Sequence, residues 1–220
     1  MRTKPIPTCA SLLHVALAAT HAASRIHVRR LSRVKVKRKT NLLDLVTEAA
    51  RESEQAVIRT LKRAFPDHVI LAEESGANAR QSEHRWIIDP LDGTTNFAHG
   101  FPQFCVSIAY ERCGRLELGV VFDALKRELF FAVRGRGARL NGRPIQVSAT
   151  SSLDRALLAT SLPYDQRERR NFYLALWEAF MMRTQGVRHA GSAVFCSGRL
   201  RFPFGKLYVS ARRGVALPQL

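Results

Sequence analysis

The two ends of this 220-residue chain lack acidic side chains altogether. Residues 1–43 hold ten Lys and Arg and residues 179–220 hold seven, with no Asp or Glu in either stretch. Residues 44–178 carry all 18 acids and an equal number of bases, so the formal charge of +17 belongs to the termini. Cysteine is scarce as well. Cys9, Cys105, Cys113 and Cys196 form no Cys-x-x-Cys pair and no dense framework, which argues against a disulfide scaffold and for a reduced, cytoplasmic protein. No apolar run approaches 18 residues, so a membrane-spanning helix is not expected. No internal repeat is present. Apolar side chains are abundant, at 46% with 12 Phe, enough for the core of one large domain or two small ones.

Residues 10–24 are rich in Ala and Leu and predict a helix. Arg2 and Lys4 upstream give it the look of a signal peptide, but His14 and His21 interrupt the run and no Ala-x-Ala site follows. An organelle transit segment is the alternative to an ordinary first helix. After the basic run Arg33–Lys39, residues 42–65 predict a second helix capped at Thr47 and ended by Pro66-Asp67. Ala50, Val57, Ile58, Leu61 and Phe65 fall near one face of it. Strand signals follow at 69–74, 86–89, 105–111, 117–123 and 129–133, read as antiparallel, with two more at 145–148 and 156–161 and a helix at 166–182. Beyond Ser192 the sequence has Gly, Pro and Arg but no periodic face.

The chemistry concentrates in Trp86-Ile87-Ile88-Asp89-Pro90-Leu91-Asp92-Gly93-Thr94-Thr95-Asn96-Phe97. An apolar strand delivers Asp89, Pro90 bends the chain, and Asp92 follows on the same tight turn. Paired carboxylates, with the Leu91 carbonyl between them, suit a hard cation such as Mg²⁺, which takes oxygen ligands and keeps waters for exchange. Gly93 lets backbone approach closely, and the amides of Gly93, Thr94 and Thr95 could cradle a phosphate. A surface turn is the plain alternative, since Asp, Pro and Gly all favour turns. The acid and glycine spacing excludes an EF-hand. A second acidic pair, Glu73-Glu74, closes the strand at 69–74. If that strand lies beside 86–89, Glu73 reaches the same centre as Asp89.

Residues 86–97 resemble, throughout, the first motif of the inositol monophosphatases, Mg²⁺-dependent and Li⁺-inhibited phosphomonoesterases. Glu73-Glu74-Ser75 is similar to that family's Glu-Glu-Ser metal motif. The resemblance continues through Phe101-Pro102, Val106-Ser107-Ile108, Gly119-Val120-Val121, Gly135-Arg136-Gly137-Ala138, Leu140-Asn141-Gly142 and Gly191-Ser192-Ala193. It implies an α/β fold, a layered sandwich like that of fructose-1,6-bisphosphatase, over residues 1–193, with 194–220 a divergent basic tail. It also implies roles. Glu73, Asp89 and the Leu91 carbonyl would hold one Mg²⁺, and Asp89 and Asp92 a second. Gly93 and Thr94 amides would bind phosphate, with the Thr94 hydroxyl orienting water and Asp92 and Glu73 in the catalytic set. Gly191, Ser192 and Ala193 would contact substrate, inositol phosphate or a related small phosphate ester, in a protein that dimerises.

Two departures point to weakened activity. The family's Asp-Leu-Val-Thr-x-x-Asp motif reads here Asp44-Leu45-Val46-Thr47-Glu48-Ala49-Ala50, so Ala50 replaces the carboxylate that pairs with the threonine. No Trp follows Trp177 and no acid follows Glu178, so a later Trp-Asp motif has no counterpart, and the tail has the composition of an out-of-frame or degenerate end. The C-terminal subdomain is therefore expected to be largely missing, leaving apolar surface open. The competing reading is a catalytically inactive remnant, or a protein that binds RNA or another polyanion through its basic termini. Against it, those termini hardly interleave aromatics with basic residues, Phe202 and Phe204 near Arg201 excepted.

Overall fold

The computed structural model describes residues 7–31, 36–38, 45–74, 76–77, 82–160 and 167–192. Helix α1 (Cys9–Arg30) starts at Thr8, whose Oγ1 accepts from the Ser11 amide at 3.2 Å. Ala16, Ala19 and Ala23 let it lie close to its neighbours, and Ile26 and His27 carry the buried stripe on past Ser24. Strands β1 (Val36–Arg38) and β2 (Leu45–Thr47) pair antiparallel, so the start of the expected second helix is extended instead. Val46 and Thr47 are β-branched and favour that conformation. Helix α2 then spans Glu48–Ala64, burying Ala50, Val57 and Leu61.

Next come β3 (Val69–Ala72), β4 (Gly76–Ala77), β5 (His84–Asp92), the single-turn α3 (Thr94–Ala98), β6 (Cys105–Arg112), β7 (Arg115–Asp123), β8 (Glu128–Val133), β9 (Ala138–Leu140) and β10 (Arg143–Ile145). They form one eight-stranded sheet in the order β10-β9-β8-β7-β6-β5-β3-β4. Its pairs are antiparallel with one exception. β3 and β5 run parallel, because the chain returns through β4 before β5 begins. The strand signal at 145–148 reduces to the end of β10. The last signals become β11 (Leu157–Thr160), helix α4 (Arg170–Met181) and β12 (Gly186–His189), with β11 and β12 paired parallel in a sheet of their own.

Helices α1 and α2 cover one face of the large sheet. Leu12, Ala16, Ala19 and Ala23 of α1 and Val57 and Leu61 of α2 meet Ile70, Trp86, Ile88, Val106, Ile108 and Tyr110. Trp86 is fully buried, and truncating such a side chain to alanine typically costs about 3–5 kcal/mol. By contrast α4 buries only Tyr173 among its residues. Phe172, Leu174 and Met181 are exposed.

A histidine stack closes the end of β5 away from Asp89. His68 lies between Phe65 and His84, with ring centroids 4.6 Å from each. Trp86 Nε1–H donates to His68 Nδ1 at 3.0 Å, and His84 Nδ1 and the Tyr110 hydroxyl are 2.6 Å apart. Burial first, then the charges of His84 and Lys62 against that of Asp67, lower His68 from 6.5 to about 4. A base whose folded value is depressed stabilises the fold fully above its unfolded pKa of about 6.5 and loses that contribution as pH falls towards 4. Urea midpoints should therefore decline from pH 7 to pH 4.5, and less steeply in His68→Asn, whose Oδ1 still accepts from Trp86 but which does not titrate. Equal slopes in the two proteins would refute the assignment.

Candidate metal and phosphate site

Register brings the carboxyl groups together. Ala72 pairs with Ile88 in the parallel β3–β5 ladder, so Glu73, just past the end of β3, and Asp89, within β5, lie at the same level. Glu73 hydrogen-bonds to Asp89. Burial first, then the charges of Asp92 and Glu73, push the Asp89 carboxyl well above the usual carboxylate range, while the Leu91 amide opposes them. That amide donates to Asp89 Oδ1 at 3.1 Å.

The Asp-Pro-Leu-Asp segment corrects the expectation of a turn that ends the strand. Strand β5 runs through to Asp92, and an irregularity in its pairing with β6 falls between Asp89 and Asp92. Proline has no ladder N–H to give, so Pro90 sits where the pairing is already broken. The bulge places Asp92 opposite Cys105. Asp92 Oδ2 accepts from the Ser192 hydroxyl at 2.5 Å and from the Cys105 thiol at 3.7 Å. Burial, then the charges of Asp92 and Asp89, raise the thiol's pKa well above its ordinary value, so Cys105 serves as a neutral donor.

Gly93 turns the chain into α3 with φ of 89°. A Cβ there would stand 2.8 Å from the Gln103 carbonyl, so both the conformation and the close approach require glycine. Thr94 opens α3 beside it. Within the same turn of helix, Asn96 Nδ2 donates to the Gln103 and Ala190 carbonyls, both at 2.7 Å. Gly191 packs on that amide, where a Cβ would come within 2.9 Å. Asn96 thus docks the Gly191-Ser192 segment onto the motif. Ala193 and Ser75 lie outside the described residues.

Ala50 is fully buried beside Leu91, Phe97 and Phe104. The position where the family motif carries Asp therefore does face the Asp89–Asp92 segment, but through an apolar cluster. His27 of α1 enters the same region. Its Nε2 lies 2.9 Å from the Pro90 carbonyl, and its ring meets Phe97 and Phe104 edge-on, each at 6.0 Å. Burial lowers its pKa to about 4, so it is neutral near pH 7. His27, Asn96 and Cys105 were not singled out from the sequence. A histidine four residues beyond Ala23 on a buried stripe was the available signal for the first.

Among the described residues, no three His, Cys, Asp or Glu side chains are grouped closely enough to hold a metal ion as they stand. Glu73 and Asp89 bond to each other instead. The chemistry of these residues nonetheless suits a hard divalent cation, since Glu73, Asp89 and Asp92 all offer oxygen ligands and Asp89 interacts with the other two. No helix among the described residues is long and apolar enough to cross a membrane.

Comparison with known proteins gives the family. Residues 9–200 match the model of the inositol monophosphatase family. The chain is 42% identical over 189 residues to a protein named Nus factor SuhB from Pseudomonas aeruginosa, covering 83% of this chain and 70% of that one. It is 48% identical over 151 residues to the inositol-1-monophosphatase of Synechocystis sp., covering 68% of this chain and 53% of that one. The solved inositol monophosphatase from Anabaena (Nostoc) sp. superposes with a TM-score of 0.77 at 41% identity, over 87% of this chain and 71% of that one. The chain thus spans between about half and seven-tenths of the length of these relatives. It belongs to the inositol monophosphatase family.

Proposed function

We infer that this protein hydrolyses a phosphate monoester, inositol 1-phosphate or a related polyol phosphate, with Mg²⁺ as cofactor. One observation carries the reading: the β3–β5 register sets Glu73 level with Asp89, and Asp89 interacts with both Glu73 and Asp92. Glu73, Asp89, Asp92 and the Leu91 carbonyl would hold the metal. Bound there, Mg²⁺ supplies charge to offset the phosphate and lowers the pKa of water. The chain's own groups do the rest. Gly93 and Thr94 amides bind phosphate oxygens, and the Thr94 hydroxyl orients the attacking water. Ser192 holds Asp92 in place, while Asn96 keeps Gly191-Ser192 at the substrate's side. Lithium inhibition, a homodimer and a cytoplasmic location accompany this reading.

A second reading is non-catalytic binding of a polyanion. The observation favouring it is the segregation of basic residues into acid-free termini. Phosphate contacts by Lys and Arg give a steep fall of affinity with salt, so a flat salt dependence of RNA binding would remove it.

Mg²⁺-dependent phosphate release from inositol 1-phosphate tests the first reading. Wild type should release phosphate slowly, below the usual enzyme range of about 1–10³ per second, and Asp89→Asn should abolish release. Equal rates in the two proteins would sink the metal assignment. Restoring the family's acid with Ala50→Asp should raise the rate less than about tenfold, although a proton-handling group usually contributes about 10²–10⁴. The reason is the site itself. Among Leu91, Phe97 and Phe104 the added carboxyl is held protonated, and an unsatisfied polar group there costs about 1–3 kcal/mol. Thermal melts should show the loss, and a hundredfold gain in rate would overturn the argument.

A further inference from the structure

We propose that His27 is a positioning residue for the metal site, acting on Asp89 through the peptide group between Pro90 and Leu91. This rests on the reading of Asp89 as a metal ligand. The carbonyl of that peptide is Pro90 O, and its N–H is Leu91 N. Both ends are held. His27 Nε2 lies 2.9 Å from the oxygen, and the amide donates to Asp89 Oδ1 at 3.1 Å. A carbonyl only accepts, so the proton is on Nε2 and the ring is fixed in that tautomer.

The other ring nitrogen supports the assignment. His27 Nδ1 is buried and has no hydrogen-bond partner, and the side chain is completely inaccessible. An imidazole placed there for packing alone would be better replaced by an apolar side chain. The one polar contact it makes is the bond to Pro90 O. That bond falls within the pairing irregularity between Asp89 and Asp92, where β6 does not hold the β5 backbone. His27 therefore replaces the missing ladder contact. It fixes the plane of the 90–91 peptide and, by drawing on its oxygen, strengthens the amide as a donor to Asp89. The carboxyl is thus kept turned towards Glu73 and Asp92. Outer groups that orient metal ligands typically change metal affinity 10–100-fold.

The test uses the full chain, with Mn²⁺ as probe. Nitrogen NMR of the metal-free protein should show His27 with its proton on Nε2, and a Leu91 amide protected from exchange. A proton on Nδ1 would overturn the proposal whatever the variants do. In calorimetry, His27→Leu should bind Mn²⁺ at least tenfold more weakly than wild type. His27→Gln, which keeps a donor near the Nε2 position, should stay within about threefold. Rescue by glutamine separates positioning from packing, because leucine is the better filler of an apolar site. A folded His27→Leu with wild-type affinity defeats the proposal and leaves the phosphatase reading intact. Normal Mn²⁺ binding with the predicted order of variants, but no phosphate release, supports the proposal and defeats that reading. Absence of Mn²⁺ binding by wild type defeats both.

Discussion

Everything at the site depends on holding three carboxyl groups together against their mutual repulsion. Aligning β3 with β5 is the means. In this parallel pair the register sets Glu73, just past the end of β3, level with Asp89 of β5, so the two meet without a long loop to position them. The remaining sheet, two covering helices and the buried Trp86 supply the rigidity that keeps the two strands from separating. Burial first, then repulsion from Asp92 and Glu73, holds the Asp89 carboxyl well above the ordinary carboxylate range. Such electrostatic tension is common where a protein is arranged to receive a cation.

Each carboxyl has a different support. Glu73 leans on Asp89, Asp89 on the Leu91 amide, and Asp92 on the Ser192 hydroxyl and the Cys105 thiol. These supports come from distant parts of the chain: α1 through His27, β6 through Cys105 and the segment after β12 through Ser192. Helices α1 and α2 also bring His27 and Ala50 to the same Phe97–Phe104 cluster beside the bulge.

Much of the fold and the carboxylate set was legible in the sequence because it depends on short-range patterns. The twelve residues from Trp86 to Phe97 carried the family motif, and the apolar strand signals marked β6 to β8 within two residues, whereas β5 runs three residues past its signal. Pairing was less legible. Parallel alignment of β3 and β5 depends on how β4 returns the chain, and no local pattern encodes that. Asp89-Pro90-Leu91-Asp92 has turn composition, yet the sheet stretches it into a bulged strand because Ile87, Ile88 and Leu91 gain more from burial than a turn would give. The contributions of His27, Asn96 and Cys105 were hidden for the same reason. Each is defined by a partner far along the chain.

Asn96 and Ser192 set an order of events during synthesis. The Asn96 amide waits for a carbonyl 94 residues downstream, and Asp92 for a hydroxyl 100 residues downstream. On the ribosome, α1, α2 and strands β3 to β8 have all emerged before either partner exists. The nascent sheet must therefore shelter its acidic bulge in an unfinished state through the synthesis of β9 to β12. During that interval His27, the Leu91 amide and the Cys105 thiol are polar contacts that hold it, all drawn from chain already made. Maturation of the centre is thus a late, long-range closure laid over an early, locally assembled core.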